Sequence, residues 1–275
     1  MNLTDVVTVN DEIDRARGRY MFGWDPEGYE TVRPAYPGWI LDAIIGRVGR
    51  QGLPTLEIGA GTGAFTRQII ESGLLPLSIV EPDDRFTERL DPLIAREPDR
   101  ISLVSEPFES IALPASSISL AVAATSFHWV DPVQGWKQLD KLLMSDGVVA
   151  LCWNVFQVMG ETDPFHEATR DLLAGLPASP SGSPGQLPYA LDVNRRTEDA
   201  SQVGFNRVDY LDSKWAIDYS SEQVVALYSG FSNLQSLGAD HRKSVLSELK
   251  LIADEQFGGI VRRNITSCLY LISRT

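Results

Sequence analysis

Cysteine and histidine are scarce in this chain, two of the first and three of the second among 275 residues. Cys152 and Cys268 each fall in an apolar, strand-like run, so they read as reduced, buried small hydrophobes and not as a disulfide or a metal pair. His128, His166 and His241 are scattered without the spacing that closes a metal site, and no metal is expected. Basic side chains are also short, 24 against 37 acidic, for a net charge of −13. Phosphate backbones and anionic membrane surfaces would be repelled, which argues against nucleic acid and membrane as partners. No run approaches the roughly 18 apolar residues of a membrane span. The opening "MNLTDVVTVNDEIDRARGRY" lacks the basic start and apolar core of a signal peptide, so a cytoplasmic protein is expected.

What is present is an ordinary apolar content, 43%, in a chain long enough to bury a sizeable core. There is no internal repeat. Residues 1–50 form a prelude, with an aromatic stretch "YMFGWDPEGYETVRPAYP" and a helix expected from Gly38 to about Val48. Strands are expected at "TLEIG", "LSIVE", "ISLVS", "SLAVAA" and "GVVALCWNV", separated by amphipathic helices near 63–73, 84–96 and 131–144. That alternation predicts an α/β fold, a Rossmann-like, seven-stranded, mostly parallel sheet with helices on both faces. Beyond Val155 come a helix at 162–175 and a Pro/Ser/Gly-rich segment, 176–190, expected as a mobile loop or lid hinge. A helix near 194–203, a strand near 205–213, helices at 221–229 and 239–256 and a last strand "IVRRNITSCLYLIS" complete the chain. The organisation expected is a cover at 1–50, a core at 51–160, and at 161–275 a helical cap with the last strands.

One stretch concentrates the chemistry. In "TLEIGAGTGAFT" a carboxylate, Glu57, sits inside an apolar strand, and Gly59, Gly61 and Gly63 follow at every second position. A strand that runs through glycines into a helix exposes backbone N–H groups and lets a ligand come close, at the strand ends where open parallel sheets bind. Glu81 closes the next strand, about 20 residues on, where ribose hydroxyls need an acceptor. "GAGTGA" also fits the dinucleotide fingerprint, so NAD competes. Glu57 decides against it: the carboxylate would repel a pyrophosphate and attract the ammonium of S-adenosylmethionine, which has no phosphate.

With these motifs, "FESIALP" and "SFHWVDP" followed by "LLMSDGVVALCWN", the chain resembles a class I SAM-dependent methyltransferase. The closer likeness is to the bacterial small-molecule group that includes trans-aconitate- and ubiquinone-methyltransferase-like enzymes, and a place in secondary metabolism is expected from it. The resemblance covers roughly 20–155 and implies S-adenosyl-L-methionine as cofactor, a small-molecule substrate and a monomer or homodimer. It implies that Glu57, Gly59, Ala60, Gly61 and Gly63 hold the methionine portion and that Glu81 accepts from the ribose. Phe108 and Glu109 would flank the adenine, and Ala124 and Thr125 would line the methionine side. Ser119 stands where many relatives carry Asp.

His128, at the end of the fourth expected strand, is the candidate general base, which favours oxygen as the methyl acceptor. A structural or substrate-orienting role fits it as well. Tyr29, Arg33 and Tyr36, which resemble a segment folding over the cofactor, are expected at the pocket mouth with Arg33 able to engage a carboxylate; packing of the helix onto the sheet is the other reading. Phe127, Trp129 and Trp153 are expected around a planar acceptor, or as rim packing. Two other functions use the same scaffold: hydrolysis, cyclisation or rearrangement in place of methyl transfer, and non-catalytic cofactor binding.

Overall fold

The computed structural model describes residues 12–21, 31–49, 52–182 and 186–275. Seven strands form one sheet in the order β3-β2-β1-β4-β5-β7-β6. They are β1 Thr55–Ile58, β2 Leu77–Val80, β3 Ile101–Val104, β4 Ile118–Ala124, β5 Leu143–Val155, β6 Arg207–Ser220 and β7 Ile260–Ser273. The pairs β1–β2, β1–β4, β2–β3 and β4–β5 are parallel. The sheet is a mixed, mostly parallel one of the α/β class. The chain divides into two compact units.

One unit comprises Ala35–Asn154, Ala190–Ser213 and Ser267–Thr275. Its central strands β1, β2 and β4 are short apolar runs because they are covered on both sides; Leu56, Ile79, Leu120 and Val122 in them, and Val149 and Leu151 of β5, are fully buried. Its helices are α2 Gly38–Val48, α3 Ala64–Ser72, α4 Thr87–Ile94, α5 Pro132–Leu142 and α7 Val193–Ser201. The start of α5 follows from "VDP": Pro132 takes the first helical position and Asp131 Oδ1 accepts from the Val133 and Gln134 N–H groups at 3.0 and 2.8 Å. Expected helix gives way to strand at Leu143, whose backbone is already extended and pairs with Ile118. The register then shifts between Ile118 and Leu120, which absorbs the extra residues of β5.

The other unit comprises Met1–Pro34, Val155–Tyr189 and Lys214–Thr266. Its described helices are α1 Arg15–Gly18, α6 Pro164–Leu173, α8 Ser221–Ser229, α9 Ser232–Gln235 and α10 Ala239–Phe257. Ser220 and Gln223 form a reciprocal capping box at the head of α8. Phe165, Tyr219, Val224, Leu227, Leu234, Leu249 and Val261 form the centre of its core. Arg263 is buried there, 3% exposed. It meets Asp163 at 2.9 Å, donates to the Tyr228 hydroxyl at 2.9 Å, and lies over the rings of Phe156, Phe165 and Tyr228.

The 176–190 segment departs from expectation. Leu176 belongs to this core, the Ala178 carbonyl accepts from Ile13 N–H at 2.8 Å, and Ser232 Oγ donates to Ser179 Oγ at 3.2 Å. The first half of the expected loop is anchored by packing and hydrogen bonds that composition does not reveal. Both cysteines are free and buried, and no helix of the described residues is long and apolar enough to cross a membrane. His166 and His241 lie exposed on α6 and α10.

Candidate functional site

The glycine turn joins β1 to α3 with Gly59, Gly61 and Gly63 all in the left-handed region, at φ 72°, 54° and 77°. Their reasons differ. A Cβ on Gly59 would stand 2.6 Å from Ser126 Cβ, and one on Gly63 would stand 2.7 Å from Leu93 Cδ1. At Gly59 packing against the end of β4 forbids a side chain, whereas at Gly63 the near atoms are the movable ends of Leu93 and Leu90 of α4, and the left-handed backbone is what calls for glycine. A Cβ on Gly61 meets nothing within 4 Å. Gly61 is therefore where the backbone lies open, and its N–H donates to Glu81 Oε2 at 2.8 Å.

Glu81 follows β2 directly and is 6% exposed. Its second oxygen accepts the Asp83 N–H at 2.9 Å. These two backbone bonds, one to each oxygen, fix the orientation of the carboxylate. Asp83, also buried, grips Arg85 through two parallel side-chain bonds, Nε to Oδ1 at 2.8 Å and Nη2 to Oδ2 at 2.6 Å.

Glu57 is 1% exposed and accepts from Thr66 Oγ1 at 2.6 Å. Among the described residues no basic side chain pairs with it. Burial pushes its carboxyl from the usual 4.5 up to about 7; the Thr66 hydrogen bond pulls it down, and the neighbouring Glu81 charge adds to the rise. The acid is thus about half-protonated near neutrality, with no cation beside it among the described residues.

The end of β4 carries a second unusual turn. Thr125 holds φ 53°, a left-handed conformation that costs a β-branched residue of the order of 1–3 kcal/mol. Its N–H donates to the Cys152 carbonyl at 2.8 Å, and its hydroxyl shares a 2.6 Å hydrogen bond with Tyr36. Tyr36 also packs edge-on against Phe65 of α3, ring centroids 5.0 Å apart. Ser126 next donates from its hydroxyl to the Ile58 carbonyl, which seats the β4 end on the β1 end. Tyr36, Ala60, Gly61, Ala124 and Thr125 are all half-buried.

His128 is 3% exposed, and the indole N–H of Trp153 donates to its Nδ1 at 3.2 Å. A nitrogen that accepts has no proton, so neutral His128 carries its hydrogen on Nε2. Of the two roles expected of it, base or orienting group, this tautomer matches the second: Nε2–H can donate, and the Nδ1 lone pair accepts from Trp153. Phe127 is one of the residues expected around a planar acceptor. It is fully buried and packs edge-on against Trp136 at 5.4 Å. Trp129 and Trp153 are buried too, and Trp153 meets Tyr270 edge-on at 6.1 Å, so neither ring stands clear for stacking.

Phe108 is buried, and Glu109 Oε1 accepts the Asp131 N–H at 2.9 Å, tying the turn after β3 to the head of α5. Ser119 Oγ rests on Met144 Sδ at 3.3 Å. Arg33 belongs to the other unit, where its guanidinium lies 4.9 Å over the Phe231 ring. Tyr29 lies outside the described residues. Sequence reasoning missed Thr66, Asp83, Arg85 and Ser126. Only "EPDD" offered a visible signal, since paired acids after a strand end are common turn formers.

Residues 56–151, about a third of the chain, match the family described as "Methyltransferase domain". An uncharacterized methyltransferase of Mycobacterium tuberculosis (strain ATCC 25618 / H37Rv) is 32% identical over 133 residues, 48% of this chain and 51% of that protein. The chain thus spans about half the length of the mycobacterial relatives it matches. An uncharacterized methyltransferase-like protein of Schizosaccharomyces pombe is 27% identical over 236 residues, 84% of this chain and 85% of its own. In fold, the chain is similar to phosphoethanolamine N-methyltransferase 2 of Haemonchus contortus, solved with phosphomonomethylethanolamine and S-adenosylhomocysteine. That likeness has a TM-score of 0.54 at 13% identity, over 92% of this chain and 58% of the other.

Proposed function

We propose, from the premise that residues 56–151 are a class I S-adenosylmethionine-dependent methyltransferase domain, that the chain transfers a methyl group to a small-molecule acceptor. The observation that carries this reading is the pair of carboxylates around the open Gly61: Glu81 fixed by two backbone N–H groups, and Glu57 buried with no basic side chain paired to it among the described residues. A zwitterionic nucleoside suits this pair, with an ammonium for Glu57 and ribose hydroxyls that donate to a carboxylate oriented as Glu81 is. A side chain at Gly61 would project into the same space. A pyrophosphate would face two acids.

When bound, the cofactor supplies a methyl group on a sulfonium, and the protein's share is alignment and exclusion of water. Glu57, the turn Gly59–Gly63 and Glu81 would hold it, with Phe108 and Glu109 beside the adenine and Ala124 and Thr125 beside the methionine chain. His128 we assign to orienting the acceptor by donating from Nε2, with Trp153 selecting that tautomer. The acceptor atom is then one already unprotonated when bound, which keeps oxygen in view as a carboxylate or phenolate. The net charge of −13 supports a small metabolite over nucleic acid, and we place the chain with the bacterial trans-aconitate- and ubiquinone-methyltransferase-like group. We read 1–50 as a cover and 161–275 as a cap from element order, and the location as cytoplasmic.

Thermal unfolding with S-adenosylmethionine, S-adenosylhomocysteine and NAD tests the reading. One-site binding at 100 times the dissociation constant stabilises by about 2.7 kcal/mol. The first two ligands should give it and NAD should not; a response to NAD alone, or to none of the three, overturns the assignment. Labelled cofactor with an acceptor screen then tests the transfer.

A further inference from the structure

Thr66 occupies the first turn of α3, a place where threonine gains little as a helix former. Its hydroxyl could satisfy itself on a carbonyl one turn back. It donates instead to Glu57 Oε2, nine residues earlier, and both side chains are buried. The Thr66 hydroxyl oxygen lies 3.7 Å from where a Cβ on Gly63 would stand, so one small group closes the space between strand end and turn. The titratable groups that face Glu57 are Glu81 beyond the end of β2 and the Cys152 thiol of β5, and neither brings positive charge. Thr66 is the neighbour that favours the ionised acid, since a hydroxyl has one hydrogen and gives it more strongly to a carboxylate than to a carboxylic acid.

We propose that Thr66 is a positioning residue for the amino-acid end of the cofactor: its hydroxyl pins Glu57 Oε2 and keeps the carboxylate charged, leaving Oε1 to accept from an ammonium group. The inference rests on the reading that Glu57 meets that ammonium. It makes cofactor affinity depend on pH through a single side chain. Affinity rises as Glu57 ionises, near pH 7 by its burial, and falls again as an α-ammonium deprotonates near pH 8.

Two measurements on the full chain separate this proposal from the one it rests on. In protein without cofactor, carboxyl-carbon NMR follows the titration of Glu57. Thr66→Val should raise the midpoint by about one pH unit, the worth of one hydrogen bond to a charged group, and Thr66→Ser should restore it. Thr66→Ala, which forces no new methyl into the turn, should give the same rise should the valine variant not fold. Calorimetric titration with S-adenosylhomocysteine from pH 6 to 8.5 should show the acid limb moving up by the same amount, about fivefold weaker binding at pH 7 and approaching tenfold at pH 6, and recovery in Thr66→Ser. An unmoved midpoint in folded Thr66→Val or Thr66→Ala overturns the role of Thr66. Binding limbs that coincide while the midpoint moves also overturn it, because Glu57 would then not sense the ligand. Failure of the parent chain to bind at any pH overturns the methyltransferase reading, and the cofactor role of Thr66 with it.

Discussion

Glu57 and Arg263 are buried to the same degree, and their surroundings could hardly differ more. In the helical unit Arg263 finds an acid, a phenol oxygen and three ring faces within that unit's own core. At the end of β1 Glu57 finds a threonine hydroxyl and another acid nearby. A charge closed by its neighbours is an element of folding. One left open is costly to keep, and such costs gather where a ligand supplies the missing partner. The contrast separates a core from a site without recourse to any relative.

The strongest way to break that contrast is Glu81→Ala. It removes an acceptor of charge-assisted bonds worth about 1.5–3 kcal/mol each, so affinity for S-adenosylhomocysteine should fall by a hundredfold or more. Calorimetry at pH 7.5 reads it directly, and affinity equal to the parent would strip Glu81 of its ribose role. Arg263→Met comes next and should act on the other quantity. Asp163 and the Tyr228 hydroxyl lose their shared cation, and removing one partner of a buried pair costs about 3–5 kcal/mol of stability. Urea unfolding should show the loss, while calorimetry on the variant, kept well below its melting temperature, finds cofactor affinity unchanged. A near-neutral result would mean that the cluster is not the structural element described above.

Much of this contrast was visible before the fold, but unevenly. Glu57, the glycines and Glu81 stand out because a charge inside an apolar run and alternate glycines break local rules. The Rossmann-like alternation is equally plain, each strand being a short run bounded by turns. What hid was long-range. Arg263 and Asp163 are 100 residues apart, and nothing local in "IVRRNITS" marks the second arginine as buried. The Thr66 hydroxyl looks like any threonine in a first turn until β1 is placed beside it. Leu143 and Met144 continue an amphipathic helical pattern, yet pairing with β4 extends them. Phe127 adjoins His128 in the sequence, and only the 3₁₀ turn Phe127–Trp129 shows its ring fully buried against Trp136.

Glu57→Gln sharpens the comparison through pH. The folded-state pKa of Glu57 is raised from 4.5 to about 7, so the folded protein binds the extra proton. The contribution of this group is therefore most favourable below about pH 4.5. It declines as pH rises toward 7, and above that it costs about 3 kcal/mol at 1.36 kcal/mol per pH unit. Removing the acid should make the protein without cofactor more stable than the parent at pH 8, by up to that amount, with no gain at pH 4. The same variant should bind cofactor more weakly. Loss of stability at pH 8 would show that Glu57 belongs with Arg263 as a folding element.

The smallest effect expected is on Trp153→Phe, and it concerns a proton more than an energy. The indole N–H is worth about 1 kcal/mol of stability at most, since Phe keeps the bulk of the ring against Tyr270. What it selects is the tautomer of His128, because a donor at 3.2 Å requires a bare Nδ1. Nitrogen-15 shifts of His128 should show Nδ1 unprotonated and Nε2 protonated in the parent, and a mixture of both tautomers in the variant. If His128 orients the acceptor by donating from Nε2, the loss should appear in KM for the acceptor with the pH dependence of turnover unchanged. A base working through this ring would behave otherwise: freeing Nδ1 would add an ionisation to the pH profile, and that result would return His128 to the catalytic role first expected of it.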